Sequence, residues 1–245
     1  MRSFAPALAG AAVAAGAVVA GAASSGQAAA MVAAPVPLIE QLVVLSSGDA
    51  SYTRVRARRT TVRVRGSRCR VAGGTPLAAL VRAPLRRLRL RDDFGSCPAS
   101  AAGVYVRAIG PDAERVARGS GWVYKVGSKA ASAGAGNPTG PFGRGRLRRG
   151  QRVLWFYCRQ AGNCQRTLAV EPSAGPAGEV GVRVTGYDDN GRGVAVEGAT
   201  VEIGPMELTT DVQGRASATL EAGSYRVTAT KPGLVRSFRE TVVVK

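Results

Sequence analysis

The stretch YTRVRARRTTVRVRG, Tyr52 to Gly66, fixes local structure more tightly than any other part of the chain. Arg54, Arg56 and Arg58 alternate with Val55 and Ala57, and Arg63 and Arg65 alternate with Val62 and Val64. Period two sends successive side chains to opposite faces of a strand. The segment therefore predicts strands with one apolar face and one face lined with guanidinium groups. The next stretch, GGTPLAALVRA, changes period. Thr75 suits a helix N-cap, Pro76 suits the first helical position, and Leu77, Leu80 and Val81 make a short apolar stripe. LRRLRLRDD and GVYVRAIG then return to strand patterns. Strands, one short helix and more strands predict a small α+β unit with the helix packed on one sheet face.

Two segments carry both tryptophans of a chain that is only 5% aromatic. In GWVYKV, Trp122, Tyr124 and Val126 share one strand face, and Val123 and Lys125 share the other. In RVLWFYC, Val153, Trp155 and Tyr157 alternate with Leu154, Phe156 and Cys158, so both faces are apolar, as in a central strand. Trp155 is expected in the core. Trp122 is the candidate ligand-facing ring, because the face bearing Lys125 leaves its strand half buried. Trp122 and Tyr124 flank the loop AASAGAGNPTGPFGRG, where glycine lets a backbone approach a ligand closely. Trp122, Tyr124, Gly134 and Gly136 are thus candidate ligand-binding residues, weighed against plain core packing, which is the favoured expectation.

Charge divides the chain. Residues 38–178 hold 25 basic and 7 acidic residues, and residues 179–245 hold 8 and 9. The Pro/Gly/Ala-rich stretch 171–178 between them reads as a linker. An excess confined to one half points to an anionic partner. Arg54, Arg56, Arg58, Arg63 and Arg65 are the candidate polyanion-binding residues, and the candidate partners are cell-wall polymer, acidic polysaccharide or an anionic lipid surface. Nucleic acid fits the charge, and GRGRLRRG is an Arg-Gly segment, but the aromatics do not interleave with the arginines as in a stacking platform. There is no histidine. A His base, a His metal ligand and Ser-His or Cys-His pairs are therefore excluded. Ser120 or Ser128 with Lys125 or Lys129 would be the remaining nucleophilic pair, and neither serine lies in a catalytic motif. No enzyme activity and no cofactor are expected.

The N-terminal residues supply the cellular address. Arg2 precedes an uncharged small-residue run from Phe4 to about Ala23, and Ala28-Ala29-Ala30 offers an A-x-A site. Residues 1–30 are expected to be a signal peptide cleaved near Ala30, which makes the mature chain secreted or surface-bound. Four cysteines in an exported chain predict two disulfides. Cys158 and Cys164 enclose only RQAGN, so their closure costs little entropy, and Cys69 with Cys97 then follows. A four-cysteine zinc site would need close C-x-x-C pairs, which the chain lacks. Asp188, Asp189 and Asn190 in YDDNGRG suggest calcium, but no EF-hand loop surrounds them and a hairpin turn explains them.

SGWVYKVGSKAASAGAG followed by LRRGQRVLWFYC resembles the domain of bacterial exported proteins related to the C-terminal β-domain of transcobalamin and intrinsic factor. Gly121, Trp122 and Tyr124 match its first motif, Ala133 to Gly136 its loop, and Leu147, Gly150, Val153, Trp155 and Tyr157 its last strand. Gly127-Ser128 stands where Asn-Gly is usual, and Gln151 where Asp is usual. The resemblance spans residues 39–170. It implies a β-grasp-like fold, mostly β with one short helix, and it raises cobalamin as a ligand. Residues 179–245 are similar to the carboxypeptidase regulatory-like, transthyretin-like module through TTDVQG and AGSYRVTATKPG. That likeness, with short alternating strands between turn signals, implies an all-β sandwich that serves as a structural or adhesive appendage.

Overall fold

Alternating sequence becomes strand throughout the computed structural model, which describes residues 36–160 and 162–245. The expected signal peptide lies outside the described residues. The first half runs β1 (Leu38–Val44), β2 (Ala50–Arg56), β3 (Thr60–Val64), β4 (Ser67–Val71), α1 (Pro76–Leu80), β5 (Arg89–Asp92), β6 (Val104–Ile109), β7 (Asp112–Ala113), β8 (Gly121–Val126), β9 (Lys129–Ala130) and β10 (Arg152–Cys158). The second half runs β11 (Thr167–Ala174), β12 (Glu179–Tyr187), β13 (Gly193–Ala195), β14 (Thr200–Ile203), β15 (Met206–Thr209), β16 (Arg215–Thr219), β17 (Gly223–Thr230) and β18 (Glu240–Val244). The described residues are thus mostly β with one short α-helix. Among the described residues no helix is long and apolar enough to cross a membrane.

The main sheet of the first half has the order β2-β1-β10-β8-β9. β1 and β10 run parallel at its centre, and the other pairs are antiparallel. The two central strands are apolar on both faces for a reason visible in the packing. One face sends Ile39, Val43, Val153 and Trp155 into a core closed by α1 and the β3–β4 hairpin. The other sends Leu42, Val44, Leu154 and Phe156 against Val235 and Phe238 of the second half. A strand covered on both sides reads as a continuous apolar run. The helix forms as its sequence directs: Thr75 Oγ1 accepts from the Ala78 amide at 3.2 Å, Pro76 opens the first turn, and every helical residue is buried.

The second half is two four-stranded sheets that share one apolar core. In one, β12 pairs with β11, β13 and β16; in the other the order is β15-β14-β17-β18. Residues 171–178 are not the linker that their composition suggests. Glu171–Ala174 continue β11 and pair with β12, so the second half begins at Thr167. Proline is tolerated there because β11 is an edge strand of its sheet.

The halves are joined by more than chain connectivity, and residues 35–245 form one compact unit. Arg152 donates to Glu40 at 2.8 Å and to both carboxylate oxygens of Glu240. Tyr52 donates its hydroxyl to the Ser237 carbonyl at 3.0 Å. Lys125 contradicts the expectation of a half-open β8 strand. Its side chain is fully buried, because the second half covers the face on which it stands. Its Nζ donates to the carbonyls of Tyr187 (3.1 Å) and Asp188 (2.8 Å) and lies 3.3 Å from Asp189 Oδ1.

Both disulfides pair as the spacing predicts, Cys69 with Cys97 and Cys158 with Cys164. They indicate an oxidising compartment. The first ties the β3–β4 hairpin to the segment before β6 across a sequence separation of 28. Replacing Cys69 and Cys97 by serine should cost about 2–4 kcal/mol, as for loops of this size. Denaturant titration checks it. An unchanged midpoint would mean that the hairpin is held by packing alone.

Candidate functional site: an arginine-lined hairpin

The β3–β4 hairpin is closed by Arg65 and Gly66, with Val64 opposite Ser67. Both turn residues take positive φ, 50° and 85°, the geometry of a two-residue turn whose twist suits a hairpin. On either side of the turn the pleat sorts the side chains. Val64, Cys69 and Val71 are buried, and Arg63, Arg68 and Arg70 are exposed on the other face. Arg63 stands directly opposite Arg68, and Arg70 opposite Thr61.

The five arginines chosen from the alternation fall into two groups. Arg54 is bound to Glu40, and Arg65 is 3.4 Å from Asp93. Two guanidinium partners dominate Glu40: burial raises its carboxyl, but hydrogen bonds from Arg54 and Arg152 outweigh that and hold it below the usual range. Asp93 is likewise held low, first by the hydrogen bond from Tyr105 and then by Arg91. Arg56, Arg58 and Arg63 are exposed and have no carboxylate within ion-pair distance among the described residues. Arg58 and Arg65 lie outside strands, since β2 ends at Arg56 and Arg65 turns the hairpin. Arg68 and Arg70 were not selected from the sequence, although the signal was there. SRCRV continues the alternation, with Cys69 in the inward position.

A like-charge pair across a ladder is unfavourable unless something offsets it. The second half contains such a pair too, Arg183 opposite Arg215. There Glu171 faces Arg183 from the other neighbouring strand. Glu179 and Asp211 line the same shallow groove. Asp93 reaches the hairpin only at Arg65, and the Arg63/Arg68 pair has no carboxylate in its register. Within its register the neighbours of Arg63 and Arg68 are Thr61 and Arg70.

The aromatic candidates are used inside the chain. Tyr124 and Trp155 are cross-strand partners with ring centroids 4.9 Å apart, and both belong to the core between sheet and helix. The Tyr124 hydroxyl donates to the Ala133 carbonyl at 2.6 Å, and burial pushes its phenol well above its ordinary value. Trp122 is half buried, edge-on to Tyr157 at 5.9 Å, and its indole N–H donates to the Asp112 carbonyl at 2.9 Å. Close backbone approach at the glycine loop is also internal. A Cβ on Gly134 would lie 2.6 Å from the Ala102 carbonyl oxygen, and one on Gly136 would lie 2.1 Å from that of Ala101. These glycines seat the loop on the 101–102 segment, with Gly136 buried and Gly134 still exposed.

The remaining candidates are also committed. Ser120 Oγ shares a 3.0 Å hydrogen bond with Tyr157, while Lys125 Nζ serves Tyr187 and Asp188, so the pair is not assembled. Asp188 closes its own turn through the amides of Asn190 and Arg192, and those bonds hold its carboxyl low. Among the described residues there is no group of three Cys, Asp or Glu that could hold a metal. No family model, curated protein or solved structure matches this chain.

Proposed function

We propose that the chain is an exported, non-catalytic binding protein whose first half holds an acidic surface polymer through the arginine face of the β3–β4 hairpin. One observation carries this. Arg63 and Arg68 stand opposite each other beside Arg70 with no carboxylate in register, whereas the comparable pair Arg183/Arg215 has Glu171 opposite. A polyanion supplies the missing countercharge. Export is supported by the apolar N-terminal sequence with its A-x-A site and by the two disulfides. A β-grasp reading of the first half is supported by the order β2-β1-β10-β8 with β1 parallel to β10. A sandwich reading of the second half is supported by two sheets around one core. Cobalamin has less support, because Tyr124 is part of the core and the Trp122 indole N–H is given to the Asp112 carbonyl.

The test is retention of the full mature chain on immobilised acidic wall polymer across a salt gradient. Exposed charges are screened over about 8 Å at physiological ionic strength, so retention should fall steeply with salt. Arg63→Ala/Arg68→Ala/Arg70→Ala should elute at clearly lower salt, and Arg183→Ala/Arg215→Ala at the native position. Equal elution of both variants would overturn the assignment to the hairpin. Tighter retention on single-stranded DNA than on wall polymer would transfer the face to nucleic acid.

A further inference from the structure

A second basic feature lies away from the hairpin, where the two halves meet. A cleft of about 320 Å³ is lined by Arg159, Lys231 and Arg236, with an apolar floor that includes Leu45, Phe156 and Leu234, and no carboxylate borders it. A smaller cleft of about 230 Å³ is lined by Arg115, Arg118 and Arg159, with Ser120 and Tyr157. The two share Ser46, Tyr157 and Arg159, so they adjoin along a common wall of one basic groove. Its only acid is Asp112, whose two carboxylate oxygens accept from the amide and hydroxyl of Ser46 at 2.6 and 2.5 Å.

Five cations from separate parts of the chain therefore face one groove, and none has a carboxylate within ion-pair distance among the described residues. Lys231 donates to the Glu197 carbonyl. The Nε–H of Arg236 is buried with no partner, and its guanidinium lies beside the Tyr52 hydroxyl. Arg159 follows a disulfide-bonded cysteine. Cys158 is bonded to Cys164, and Gln165 accepts from the Arg159 amide at 3.2 Å. The volume of the larger cleft is that of a small-ligand pocket rather than a flat surface.

We infer that this groove is a discrete binding site for a short oligoanion, a chain carrying successive phosphate or carboxylate groups. Guanidinium pairs bidentately with either group, and the shared Arg159 links the two clefts along one ligand. The inference deepens the polyanion reading above and rests on it: the hairpin attracts an acidic polymer, and the groove grips a segment of it.

The experiment is calorimetric titration of the full mature chain with two probes, tetragalacturonate for the carboxylate source and inorganic tripolyphosphate for the phosphate source. At least one should bind saturably. Arg118→Ala/Arg159→Ala should weaken that binding about tenfold or more, the usual effect of losing hydrogen bonds between charged groups. Both side chains are exposed, and an unchanged thermal melt would confirm an intact fold. Arg183→Ala/Arg215→Ala, outside both basic features, should bind the probe as the native chain does. The probe that binds identifies the source. Failure of both probes to saturate, with polymer retention intact, would overturn the groove and leave the hairpin reading standing. Loss of probe binding in the hairpin variant alone would also overturn it. Loss of polymer retention in every arm would remove both.

Discussion

Trp155→Ala is expected to destabilise the chain by roughly 3–5 kcal/mol, the range for truncating a buried large aromatic. Trp155 is 2% exposed, on the central strand β10, with its ring against Tyr124. Its indole N–H is buried without a partner. That detail separates packing from hydrogen bonding. Trp155→Phe keeps most of the apolar contact and removes a polar group that gains nothing, so it should cost much less than the alanine variant. Trp122→Ala should fall between the two. Its ring is half buried, and the variant also forfeits the hydrogen bond to Asp112. Denaturant melts of the three variants give the order. Equal losses for Trp155→Phe and Trp155→Ala would mean that the indole N–H is satisfied after all, and that ring volume is not what β10 requires.

The same strand shows how much could be read in advance. The two apolar faces of RVLWFYC identify a central strand, and Thr75-Pro76 identifies the start of the only α-helix among the described residues, because both are local signals written in a few residues. Cys158–Cys164 was legible for the same reason, and Cys69–Cys97 followed as the remaining pair. Glu171–Ala174 was not, since Pro and Gly composition reports turn preference and says nothing about the partner strand that made this segment β11. Arg63 and Arg65 looked equivalent along the alternation. Only the fold sets Arg65 beside Asp93 and brings Arg68 opposite Arg63. The glycine loop misled for a related reason. Glycine reveals that something approaches the backbone, and the Ala101 carbonyl that does so is distant in sequence. The groove at the seam was invisible, because Arg118, Arg159 and Arg236 converge from three separate segments.

Lys125 provides the sharpest test that the two halves fold as one body. Lys125→Ala removes about three buried methylene groups at roughly 0.8 kcal/mol each and leaves the Tyr187 and Asp188 carbonyls without their donor, so a loss of about 3–5 kcal/mol is expected. Lys125→Met fills the space but makes no hydrogen bond, and should cost less. Its value is in the pH dependence. Burial pushes the Lys125 ammonium below its ordinary pKa, and Asp189 only partly restores it. Between that lowered value and about 10.4, the ordinary lysine value, the unfolded chain binds the proton that the folded chain has released. Stability from this residue therefore rises with pH across that window, and is lost as pH falls through the folded value. The native protein should gain on Lys125→Met as denaturant melts are repeated at increasingly alkaline pH, because the other titrating groups are common to both. A stability difference that stays flat with pH would mean that Lys125 keeps its ordinary proton affinity. The seam would then be wet at Asp189, and the second half would cover β8 less tightly than its full burial of this side chain requires.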